Sequence, residues 1–155
     1  MPEIIRVSKA VLITSGVFNL WLYPRPDWIM AWFCRAGIGS GKWGFCTWQP
    51  ILCYGKDPYL VNGLGRQHDS IESCEIAEKN NHPCPKPLKL WTKLLLRGSI
   101  KESDTIYDPF MGSGTTALVA IKTNRNFIGS EISQTYVDLA NKRIDQHLRQ
   151  EKLAL

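Results

Sequence analysis

The sequence predicts an α/β fold, an open sheet that carries a ligand at the carboxyl ends of its strands. Three observations predict it. A β-favouring run, Thr105-Ile106-Tyr107, leads into the nine residues Asp108-Pro-Phe-Met-Gly-Ser-Gly-Thr-Thr116. A helix-forming run, Ala117 to Ile121, leads out of them. Together these give a strand, a Gly-rich turn and a helix N-terminus, which holds a polar or anionic ligand against exposed backbone N–H groups. The third observation is Glu131, which ends the run Asn126 to Ser130 about 20 residues beyond the loop, where a carboxylate accepts hydrogen bonds from ribose hydroxyls. The pattern reads as a site for a nucleoside-bearing cofactor, although its spacing is not the dinucleotide fingerprint.

The remaining elements follow in chain order. Ala10-Val-Leu-Ile-Thr14, closed by Ser15-Gly16, reads as a buried strand. Asn19 to Asp27 is turn-rich, and Pro24 and Pro26 rule out a long helix. Trp28 to Cys34 and Thr47 to Tyr54 read as two strands around a glycine-rich loop, Gly37 to Gly44, with Trp28, Trp32 and Trp48 placed as core residues. From Lys56 to Asn81 the chain is polar and without clear periodicity, a loop or small insert. Pro87 to Arg97 carries an apolar stripe at Leu90, Trp91, Leu94 and Leu95 and stops at Gly98, so it is predicted helical. Ser133 caps a final helix with Tyr136, Val137, Ala140, Ile144 and Leu148 on one face.

Asp108-Pro-Phe-Met-Gly-Ser-Gly-Thr-Thr116 resembles the S-adenosylmethionine-binding motif of DNA amino-methyltransferases, which methylate the exocyclic amine of adenine or cytosine. His82-Pro-Cys-Pro-Lys-Pro87 resembles the H-P-x-x-K-P segment that precedes this motif in the permuted class, where the cofactor half follows the catalytic half. Gly129-Ser130-Glu131 resembles the family's ribose-binding acidic motif. The resemblance implies a Rossmann-like S-adenosylmethionine-dependent methyltransferase fold. It assigns residues 1–56 to the end of the catalytic half, 57–81 to a short insert or target-recognition loop, and 82–155 to the cofactor-binding half. Asp108, Phe110, Gly112, Ser113, Gly114, Thr115, Glu131 and Lys86 are the implied cofactor residues. Asp108 would order the loop or the methionine end, and Phe110 would wall the pocket. Lys86 would be the polar contact of its segment, while His82 is expected to be structural.

The resemblance also exposes a gap. Enzymes of this family carry an Asp/Asn/Ser-Pro-Pro-aromatic tetrapeptide that holds the target amine, and no Pro-Pro pair occurs in these 155 residues. Asp57-Pro58-Tyr59 is the nearest string, with one proline and in the wrong place in the order. In the permuted arrangement the tetrapeptide would precede Val11. The chain is therefore expected to lack catalytic residues and to have an incomplete sheet, short of a central strand beside the one ending at Asp108. Two function classes remain: a truncated DNA methyltransferase, or a non-catalytic S-adenosylmethionine- or DNA-binding subunit of a split one. An RNA methyltransferase would share every cofactor residue. Adenine versus cytosine, and a place inside or outside a restriction-modification system, stay open.

Composition bounds these readings. With 44% apolar and 21% charged residues the chain is globular in class rather than disordered. The net charge of +5 suits a polyanion such as double-stranded DNA, but ten of the nineteen basic residues fall before Trp91, so no basic tail or patch is legible. Ala36-Gly-Ile-Gly-Ser-Gly-Lys42-Trp43 fails as a phosphate loop, because Ala36 stands where its first glycine would be and Trp43 follows the lysine. It reads either as a mobile hairpin loop or as a DNA contact, with Lys42 near a phosphate and Trp43 near bases. Five cysteines without a C-x-x-C pair point to free thiols in a reducing, cytoplasmic setting, with no metal site expected. The longest apolar run, near Trp28 to Cys34, is too short to span a bilayer.

Overall fold

The computed structural model describes residues 1–78 and 83–153, with side chains to residue 150. The chain divides into two compact units, Met1–Cys74 and Glu75–Leu155.

The first unit is built on a four-stranded sheet. Its strands are β1 (Ala10–Thr14), β2 (Trp28–Phe33), β5 (Trp48–Gly55) and β6 (Ser70–Glu72), in the order β1-β5-β2-β6. β5 runs antiparallel to both neighbours, pairing Leu12 with Cys53 on one side and Met30 with Ile51 on the other. Pro50 lacks an N–H yet sits inside β5 opposite Ala31. The position tolerates it because Ala31 sends its own N–H to Asp69 O, away from β5, and β1 ends opposite Ile51. Val11, Leu52 and Tyr54 form a core on one face, covered by Ile4 and Ile5 of α1 (Pro2–Val7) and by Leu20 and Tyr23. The Tyr54 hydroxyl donates to Pro24 O at 2.8 Å, so this buried ring keeps its polar end satisfied.

Three features depart from the sequence expectation. The glycine-rich loop contains a hairpin, β3 (Gly39–Gly41) and β4 (Gly44–Cys46), with Lys42 and Trp43 as its two-residue turn. The stretch expected as a loop or small insert holds a short helix, α2 (Pro58–Val61), and β6, which pairs parallel with β2. Of the three tryptophans assigned to the core, only Trp32 is buried; Trp28 is 62% and Trp48 39% exposed. Trp32 differs because it lies inside the β2–β6 ladder and its Nε1 donates to Ser73 O at 2.8 Å. The other two are the first residues of their strands.

The second unit follows the predicted sequence of α3 (Leu88–Gly98), β7 (Thr105–Asp108), α4 (Thr115–Lys122), β8 (Asn126–Gly129) and α5 (Gln134–Leu153). β7 and β8 pair in parallel, Asp108 opposite Gly129, as a two-stranded sheet. One face packs on the helices: Ile106 and Phe127 meet Leu95, Val119 and Ala120, with Leu88 and Trp91 alongside. The other face presents Tyr107 and Ile128, 44% and 59% exposed. α4 ends with Asn124 in the left-handed region (φ 56), while Arg125 N bonds Ala120 O and Asn124 N bonds Ile121 O. That is the Schellman closure, and it turns the chain straight into β8. The first unit thus holds a four-stranded sheet and the β3–β4 hairpin and the second a two-stranded parallel sheet, partial sheets of a mixed α/β protein.

Candidate functional site

The carboxyl ends of β7 and β8 lie side by side, and the residues singled out in the Gly-rich motif gather there. Asp108 closes β7, and its carboxylate works inward on the loop. Oδ1 accepts from Phe110 N at 3.0 Å and Oδ2 from the Thr116 hydroxyl at 2.5 Å. Thr116 in turn accepts from Trp91 Nε1 at 3.1 Å. These two bonds tie Asp108 to the start of the loop and to the first turn of α4. Trp91 also carries the Lys86 ammonium 5.6 Å above its ring, which ties the Pro-Lys-Pro segment to the same relay. His82 lies outside the described residues.

Glu131, two residues past β8, is held on both carboxylate oxygens. Oε2 accepts from Gly112 N and Oε1 from Ser133 N, each at 3.0 Å. Met111 N to Ser130 O and Ser130 N to Asp108 O close the two strand ends onto each other. Ser133 carries the start of α5, its carbonyl accepting from Tyr136 N and Val137 N. Two backbone donors, one on each oxygen, fix the orientation of this carboxylate at the strand end. Beside it is an open cavity of about 250 Å³, lined by Pro109, Phe110, Ser130, Glu131 and Ile132. Phe110 and Ile132 are 79% and 104% exposed, so two large apolar side chains stand in solvent at the same cavity as the anchored acid. An aromatic base against the apolar walls and a vicinal diol on the acid would complement this cavity, so the residues present fit an adenosine group.

The rest of the loop is turned into the protein. Gly114 adopts φ 77, and a Cβ there would lie 2.8 Å from Ala140 Cβ on α5. Ser113 and Thr115 are both 4% exposed. Arg143, also on α5, donates to the Ser113 carbonyl and to Ser113 Oγ at 3.2 Å, and reaches Thr115 Oγ1 at 3.5 Å. Sequence reasoning missed Trp91, Thr116, Ile132 and Arg143. Arg143 had a signal, since a cation stands on the apolar stripe of Tyr136, Ala140 and Ile144. Trp91 had none, because its partner Thr116 is 25 residues away.

The other candidates lie in the first unit. Lys42 and Trp43 form the tip of the β3–β4 hairpin, with Trp43 fully exposed. A larger cavity, about 490 Å³, is lined by Phe33, Arg35, Thr47, Ser70 and Glu72, but Arg35 and Glu72 pair with each other at 2.9 Å rather than converging on a ligand. No helix among the described residues is long and apolar enough to cross a membrane.

A Gly-rich turn between parallel strands, followed by an acid at the next strand end, defines a nucleoside-binding α/β protein. The chain belongs to the DNA methylase family, whose model matches residues 17–142. It is 46% identical over 180 residues to the type II methyltransferase M1.MboII of Moraxella bovis, covering 87% of this chain and 66% of that protein. It is 48% identical over 67 residues to the orphan methyltransferase M.BamHII of Bacillus amyloliquefaciens, covering 43% of this chain and 25% of that one. Among solved structures, the M1.HpyAVI–SAM complex matches with a TM-score of 0.60 and 23% identity, over 91% of this chain and 66% of that one. PvuII DNA methyltransferase (cytosine-N4-specific) matches at 0.56 and 18%, over 73% and 49%. These likenesses give the fold. The chain spans between 25% and 66% of the length of these four proteins.

Proposed function

We propose that the chain is the S-adenosylmethionine-binding part of a DNA amino-methyltransferase that modifies the exocyclic amine of adenine or cytosine. The observation that carries this reading is Glu131, fixed by Gly112 N and Ser133 N at the rim of a cavity walled by Phe110 and Ile132. The cofactor supplies an electrophilic methyl group when bound. Glu131 accepts the ribose hydroxyls, Phe110 and Ile132 take the adenine faces, and the Gly112–Thr115 loop receives the methionine end, with Lys86 nearby. The family name and the S-adenosylmethionine complex of M1.HpyAVI support this assignment.

The target amine needs groups that these 155 residues do not include, since no Pro-Pro-aromatic tetrapeptide occurs among them. We therefore assign the amine-holding step to a segment outside this sequence, in the same polypeptide or a second chain. Duplex DNA is the proposed substrate, with the target base turned out of the stack to reach the methyl group. The Lys42–Trp43 tip is the proposed DNA contact, Lys42 at phosphate and Trp43 against bases, and the setting is the cytoplasm.

The first test is a thermal melt with and without S-adenosylmethionine. At about 100 times its dissociation constant the ligand adds roughly 2.7 kcal/mol to a folded site. An upward shift that Glu131→Ala abolishes supports the reading; a cooperative melt that the ligand does not move sinks it.

A further inference from the structure

We propose that Arg143 is a positioning residue that shapes the cofactor loop from behind, without touching the ligand. The proposal deepens the S-adenosylmethionine reading and rests on it. Arg143 lies on the α5 face that packs on the loop, one turn beyond Ala140, and its side chain is only 10% exposed. A guanidinium offers five donors in a planar fork, so one group can serve several acceptors at once. Here Nη1 holds the carbonyl and hydroxyl of Ser113 and reaches Thr115 Oγ1, while Nη2 pairs with Glu78 Oε2 at 2.9 Å.

The consequence for the site follows from where Ser113 stands. Gly114 N bonds Met111 O at 2.9 Å, so Ser113 is inside the tight turn to which the proposed function assigns the methionine end. A charged donor on its carbonyl fixes the orientation of the Ser113–Gly114 peptide plane. Ala140 presses on the next residue, since a Cβ on Gly114 would meet it at 2.8 Å. α5 therefore contacts the loop at two successive residues, by close approach and by a charged hydrogen bond. Glu131 depends on this arrangement less, because Ser133 N anchors it independently. Loss of Arg143 should weaken the loop's grip on the methionine end more than the hold on adenosine.

The experiment compares wild type, Arg143→Lys and Arg143→Ala in the full 155-residue chain. Calorimetric titration reads binding of S-adenosylmethionine and of adenosine, and a melt without ligand reads stability. A lysine keeps the charge but not the fork, so Arg143→Lys should melt near wild type. It should still lose affinity for S-adenosylmethionine by about tenfold, the scale of one charged hydrogen bond. Adenosine should lose roughly threefold or less. A purely structural role would lower both affinities alike, in step with the melting temperature. Equal losses for the two ligands, or no loss in Arg143→Lys, overturn the tether while leaving the site reading intact. A folded wild type that binds neither ligand overturns the site reading and this proposal with it.

Discussion

Glu131 takes one backbone N–H on each carboxylate oxygen, and this decides how its substitutions should divide. Glu131→Gln keeps one acceptor oxygen but replaces the other with a donor that faces an N–H, so it should disturb the strand-end closure as well as ligand binding. Glu131→Ala removes both anchors and should abolish the ligand-induced rise in melting temperature. A second residue-level prediction concerns Cys74. The backbone N–H of Ala36, and next the Cys34 thiol, hold its thiol below the ordinary value of 9.0, whereas burial pushes Cys34 up. A lowered thiol pKa means more thiolate at a given pH. The exposed Cys74 should therefore react with iodoacetamide with a pH midpoint below 9.0, and buried Cys34 should react last; peptide mapping of the labelled chain at successive pH values checks the order. Neither thiol's behaviour was legible in the sequence, because Cys34 and Cys74 meet only through the β2–β6 pairing.

The cofactor loop and α5 act as one element pair. Gly114 combines a left-handed φ of 77 with contact against Ala140, so Gly114→Ala meets both a backbone and a packing penalty. It should cost about 2–4 kcal/mol of stability, from the left-handed conformation and overpacking together. Ala140→Gly in the same chain should recover part of that loss by opening space; denaturant melts of the single and double variants measure the coupling. Leu90 of α3 is fully buried, and Leu90→Ala should cost about 2–5 kcal/mol. The strand, turn, helix and strand here were legible because their signals are local: the β run into Asp108, the glycines, and an apolar run on α4. The β3–β4 hairpin and β6 were not, since each has three residues and gains its identity only from a partner strand.

At the scale of the whole molecule, the described residues leave strand edges open. β7 pairs only with β8, and β1 only with β5, while Tyr107 and Ile128 are exposed on the uncovered face of the two-stranded sheet. Parallel sheets are ordinarily covered on both faces, and open edges invite pairing with other chains. These 155 residues by themselves should therefore self-associate, and sedimentation velocity should show species larger than a monomer that grow with concentration. A monomer at tens of micromolar, with a cooperative melt, would contradict this. The chain covers 66% of M1.MboII and 66% of the M1.HpyAVI chain.

The sequence by itself determined the α/β class, the order of elements from Leu88 to Leu153, and the cluster of Asp108, Phe110, the glycine loop and Glu131. Those rest on local propensity and short spacing, which one stretch of chain carries complete. Only the tertiary structure decided that Asp108 and Ser113 bond inward, that Arg143 and Trp91 hold the loop, and that Trp28 and Trp48 stay in solvent. Those outcomes depend on which distant residue arrives at a given face, and hydrogen bonds or burial between residues far apart in sequence leave no periodicity behind to be read.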